Sequence, residues 1–163
     1  MLALPERGGP RPATSPGIPH RQLEQTPAPA VFAALSQRFA AISEAVHGES
    51  QVSVPGARAL YLPECARCNT RYGFIRGREF AHLHPVDDGS FHMVLAPDDL
   101  QQVLLRGWGE LHPWSPTGRI LPNVAMVYAP RNEREIDLAL EIVRASFLNA
   151  AGMPGILSER QTA

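Results

Sequence analysis

The sequence predicts an α+β domain, an antiparallel or mixed sheet with helices packed on one face. Three observations carry that prediction. Asn132 and Glu135 make a capping box ahead of a stripe of Ile136, Ala139, Leu140, Val143 and Phe147, a C-terminal helix that Gly152 closes. "YGFIRGREFAHLHP" and "SFHMVLAP" read as strands on either side of a turn, "VDDGS". The element order is helix, strands, short helix, strand, helix, with no internal repeat.

The elements follow in chain order. Residues 1–29 are rich in proline and poor in periodicity, and read as an extended arm. Within it the polar side chains of "PHRQLEQ" either reach over a neighbouring cleft or stay solvated. Residues 30–152 form the domain and 153–163 a tail. Phe32, Leu35, Phe39, Ile42 and Val46 predict a helix from Ala28 to His47, with Gly48 as its stop. "QVSVPGARALYLP" predicts a bent strand or two short ones, and Cys65 to Arg71 a polar loop. "PDDLQQVLLRG" is a short helix, with Pro97 in its first turn and Asp98 and Asp99 at the positive end of its dipole. A polar loop from Gly109 to Asn123 leads to "VAMVYAP", a buried strand.

Composition narrows the function. The chain has 163 residues, 44% of them apolar, and a formal net charge of −1. One core and one domain fit that length. No basic stripe with interleaved aromatics appears, which argues against a nucleic-acid partner. All basic residues are arginine, so lysine Schiff-base chemistry is excluded. No stretch approaches the roughly 18 apolar residues of a membrane span, and the expected location is the cytoplasm. Two cysteines are too few for a disulfide framework.

The most informative stretch is "REFAHLHPVDDGSFHMVL". A three-residue loop, Asp87-Asp88-Gly89, would set His84 opposite His92 and put His82 on the same face, with Phe80 and Val94 beside them. Ala81, Leu83, Phe91 and Met93 then face the core. On the same alternation Glu79 points away from the rings. His112, in "GWGELHPW", can close over the cluster. Three readings stay open. His82, His84 and His92 can hold zinc, iron or copper; the histidines can move a proton to or from an acidic hydroxyl; or they can simply pack.

Other features are weaker. "CARC", Cys65 to Cys68, has the spacing of half a zinc site but stands as incidental thiols. Arg71, Arg76 and Arg78 can attract an anion or form a solvated face. No nucleophile elbow is present.

Taken together, His-x-His-Pro, Asp-Gly-Ser-x-His, Gly-Trp-Gly-Glu-x-His-Pro and Tyr-Ala-Pro-Arg, spread over about residues 52–150, resemble the luciferase-like domain family. That domain occurs in the luciferase of bioluminescent fungi and in bacterial proteins of unassigned role; "PHRQLEQ" is similar to the bacterial branch. The resemblance implies an oxygenase that oxidises a hydroxylated pyrone with molecular oxygen, using neither metal nor organic cofactor. Carried over by motif, His82, His84, His92 and His112 become base and hydrogen-bonding groups. Trp108 and Trp114 become pocket walls and Arg131 a clamp for an anionic oxygen; Phe80, beside the rings by register, joins them as a substrate-binding residue. The fungal proteins have a hydrophobic anchor where this chain has its proline-rich arm, and light emission is not expected. Zinc- or iron-dependent catalysis by the same histidines and a non-catalytic ligand- or protein-binding module are the alternatives.

Overall fold

The computed structural model describes residues 1–64, 67–69 and 71–154. In chain order the elements are α1 (Pro29–Ala40), β1 (Val46–Glu49), β2 (Arg58–Tyr61), β3 (Glu79–Leu83), β4 (Phe91–Val94), α2 (Pro97–Leu105), β5 (Gly109–Leu111), β6 (Val124–Val127) and α3 (Glu133–Ala150). The six strands make one sheet in the order β1-β2-β3-β4-β6-β5, every neighbouring pair antiparallel. Helix α3 lies over β3 and β4, and α1 packs against α3. This is the α+β arrangement expected, with the helical layer on one face. The Ser146 hydroxyl of α3 donates to the Phe80 and Val94 carbonyls at 3.1 and 2.8 Å, which ties helix to sheet. The Asn132 side chain accepts from the Glu135 N–H at 3.0 Å, one half of a capping box; the Glu135 carboxylate accepts the Arg131 N–H at 2.9 Å rather than that of Asn132.

Helix α1 is shorter than its apolar stripe suggests. It stops at Ala40, and Val46 and Gly48 instead lie in an edge strand paired with β2. Glycine and a β-branched residue gain more from that pairing than from another helical turn. Residues 109–111 form β5 where a loop was expected, because the three residues pair with β6.

The hairpin differs from expectation in loop length and agrees in parity. His82, not His84, pairs with His92, and the loop runs over five residues, Pro85 to Gly89. The amides of Asp88 and Gly89 both donate to the Pro85 carbonyl, at 3.0 and 2.7 Å. Gly89 sits at φ +71, where a side chain would also strike the Pro27 ring at 2.5 Å. The register has moved by two residues, so each side chain keeps its face.

A bulge overturns two other expectations. Leu60 pairs with Ala81 and Tyr61 with Glu79, which leaves Phe80 as the extra residue. Phe80 therefore turns into the core, fully buried with its ring 5.8 Å from that of Phe147. Glu79 swings onto the histidine face.

The arm lies across the body. Leu2 and Leu4 are buried, the Leu2 N–H donates to Asp99, and the Arg7 N–H donates to the Arg106 carbonyl. Among the described residues no helix is long and apolar enough to cross a membrane. Cys68 is half-buried against the core; Cys65 and most of the 153–163 tail lie outside the described residues.

Candidate functional site: a carboxylate-braced histidine cluster

Opposite the helices, the sheet carries His82 and His92 on adjacent strands, with His84 just beyond β3. All three are at most 5% exposed. His92 pairs across β4–β6 with Met126, and Met126 pairs with Glu110 of β5, so Glu110 joins the same face. His112 follows β5, its N–H held by the Val124 carbonyl at 3.0 Å. The fifth ring comes from the arm. A bridge between Thr14 and Gln22 folds residues 14–22 back, and His20 at its turn is inserted between His92 and Glu110.

Three carboxylates brace these rings. Glu79 Oε1 accepts from His82 Nδ1 at 2.8 Å, Asp88 Oδ2 from His84 Nδ1 at 2.6 Å, and Glu110 Oε1 from His20 Nε2 at 2.8 Å. Each carboxylate is itself held. Glu79 also takes bonds from Ser50, the Gln51 N–H and Tyr61; Asp88 from Ser90; Glu110 from Thr14 and Tyr128. Burial pushes all three carboxyls up, yet these donors leave each below its ordinary value. They are anions at neutral pH, and an anion only accepts. Their bonds therefore fix the protons of His82, His84 and His20 on the nitrogens that face them.

The opposite nitrogens converge on His92. His82 Nε2 and His84 Nε2 each stand 3.2 Å from His92 Nδ1, and His20 Nδ1 stands 3.0 Å from His92 Nε2. Burial, then the neighbouring His82 and His84, hold His92 well below the usual imidazole range; burial also lowers His82 against the pull of Glu79. Burial and the nearby His20 lower His112 to about 4. His112 is thus neutral at pH 7. Its Nδ1 accepts the Trp114 N–H at 3.1 Å, so its proton sits on Nε2.

The rings open on a cavity of about 620 Å³. All five line it, with Trp114, Ile18, Val52, Ile75 and Ile120 among the apolar walls and Arg76 and Arg119 at its margin. Of the residues singled out in the sequence, His82, His84, His92, His112 and Trp114 come together here. Trp108, Arg131 and Phe80 do not. The Trp108 indole N–H donates to the Pro5 carbonyl at 2.7 Å beneath the Arg7 guanidinium, and Arg131 is paired with Glu135 and with the Gly8 carbonyl. Both hold the arm rather than the cavity. Arg71 lies over the Tyr72 ring and Arg78 caps the Leu62 and Pro63 carbonyls, so only Arg76 of that trio reaches the cavity. His20, Glu79, Asp88 and Glu110 were missed as site residues. "PHRQLEQ" was the one signal for His20.

These features define an α+β domain whose sheet buries an imidazole cluster against a cavity. Residues 77–146 match the Luciferase domain family, which supports kinship with luciferase-like domains. Luciferases of Armillaria gallica and Armillaria mellea are each 31% identical over 160 residues, covering 88% of this chain and 59% of theirs. The luciferase of Neonothopanus nambi is 42% identical over 71 residues, covering 42% of this chain and 27% of its own. The chain thus spans about three fifths of the length of the Armillaria relatives. No solved structure matches.

Proposed function

We propose that the domain is an oxygenase. In this reading it takes a small hydroxylated aromatic or pyrone-type substrate into the histidine cavity and oxidises it with molecular oxygen, without an organic cofactor. The observation that carries this is the pair of carboxylate-backed nitrogens, His82 Nε2 and His84 Nε2, each carrying the lone pair of its neutral ring. A substrate hydroxyl reaching them meets a base, and its proton moves to an imidazole whose new charge the buried carboxylate stabilises. The resulting anion is electron-rich enough to reduce oxygen. In this reading His112 Nε2–H donates to the anionic oxygen, Arg76 and Arg119 of the cavity lining supply charge, and the apolar walls keep water from a peroxide. The kinship with proteins named luciferase agrees with an oxidative reaction; light emission is not part of the proposal.

An oxygen electrode tests it, with the full chain and a panel of hydroxypyrones and catechol-type phenols. The reading expects uptake that depends on the protein and falls about 10²-fold or more in His82→Gln. Panel compounds that bind with no oxygen consumed would identify a non-catalytic binding module instead.

A further inference from the structure

We propose that His82 Nε2, His84 Nε2 and His92 Nδ1 bind one divalent transition-metal cation of the zinc or ferrous kind. The inference comes from counting protons. Glu79 and Asp88 take the Nδ1 protons of His82 and His84, and Glu110 takes the Nε2 proton of His20. His20 Nδ1 is then bare and must accept from His92 Nε2 at 3.0 Å. His92 Nδ1 stands 3.2 Å from the bare nitrogens of both His82 and His84. One proton at that point could bond only one of the two well, whereas a cation takes all three lone pairs. Placing the His92 proton there would also leave the His20 pair without one.

A cation at that meeting point satisfies every group at once. Each N–H has an acceptor and each lone pair a positive charge. Charge balance runs the same way: Glu79 and Asp88 are wholly buried, Glu110 is partly so, and among the described residues the one arginine in an ion pair with any of them is Arg21, 3.6 Å from Asp88. The spacing fits too. Nitrogens bound at about 2.0–2.1 Å to a tetrahedral zinc are about 3.3 Å apart, and two of the three edges here are 3.2 Å. All three donor atoms lie within 4.8 Å of one another. Each ring also has the outer partner that metal-bound histidines have: Glu79, Asp88, and for His92 the His20–Glu110 pair. The neighbouring trio of His20, His92 and His112 is spaced for a metal as well. It fails on protons, because the Trp114 N–H occupies His112 Nδ1 and leaves Nε2 protonated. Coordination positions not taken by protein would face the cavity that the same three rings line.

This goes beyond the oxygenase reading and, with the cation bound, displaces its base, because the His82 Nε2 and His84 Nε2 lone pairs are then taken. It also departs from the metal-free chemistry that the family resemblance implies. The test uses the full chain, stripped by chelator and titrated with cobalt(II) as the probe. Binding of about one equivalent, with the visible absorption of nitrogen-ligated cobalt, is expected. Affinity should fall by about 10–100-fold in Asp88→Asn, fall further in His84→Asn, and hold in His112→Asn. Equal loss in His84→Asn and His112→Asn would overturn the assignment. Should the variants not fold, equilibrium dialysis of the wild-type chain against zinc or cobalt decides: no uptake by protein with native circular dichroism overturns it. That result would leave base-catalysed oxidation standing, so the two readings fail separately.

Discussion

Glu79 Oε1 lies 2.8 Å from His82 Nδ1, on a face that unbroken strand alternation denies it. The bulge at Phe80 creates this pair, and the pair fixes which nitrogen of His82 is free. Glu79 lies beneath His82 and does not line the cavity. Glu79→Gln is therefore expected to lower kcat for oxygen uptake by about 10-fold or more with little change in KM. Steady-state kinetics on a panel substrate checks it; a change confined to KM would place Glu79 in substrate binding instead.

Phe80 belongs to the core and not to the pocket wall. Phe80→Ala should lower stability by about 3–5 kcal/mol, since it empties a fully buried aromatic site against Phe147. Urea unfolding measures this. A cost near that of a surface substitution would return Phe80 to the cavity side.

Gln22 is the latch of the arm. Its Oε1 accepts the buried Ala129 N–H at 2.9 Å, and its amide donates to the Glu24 and Gln25 carbonyls. Gln22→Ala strands that N–H and should cost about 1–3 kcal/mol. Limited proteolysis of the arm should quicken in parallel, because residues 14–22 lose one of their anchors to the body.

Glu135 couples the arm to α3 and gives stability an acid limit. Burial raises its carboxyl, but the Arg131 side chain and N–H, with Arg7, bring it below the usual 4.5. A carboxyl lowered in the folded state contributes fully above its unfolded value and loses that contribution as pH falls through its folded one. Urea midpoints should fall as pH drops below 4.5. Glu135→Gln should flatten that fall, by up to about 1.4 kcal/mol per unit of lowering.

Much of this was legible in the sequence because period and parity are local properties. Alternation around "VDDGS" placed His82, His84 and His92 on one face even though the loop is two residues longer than expected, since a shift of two preserves parity. The cap at Asn132 and the short helix at Pro97 were read from neighbours only. What escaped depends on distant partners. The Phe80 bulge comes from pairing with β2, and β5 exists only through β6. Both moved a carboxylate, Glu79 or Glu110, onto the histidine face. His20 reaches the site through a fold of the arm that no periodicity announces. The motif Tyr-Ala-Pro-Arg made Arg131 an anion clamp by resemblance, and no motif shows that its anion is the chain's own Glu135.

The proton positions on the rings are the most direct test of the whole scheme. Long-range nitrogen–proton correlation spectra of the full chain, labelled at histidine and kept in chelator, read them one ring at a time. Protonation of His82 and His84 at Nδ1 and of His20 at Nε2 is the predicted result. Protons on Nε2 of His82 and His84 would mean that the carboxylates do not set the rings, and would contradict both the base and the metal site.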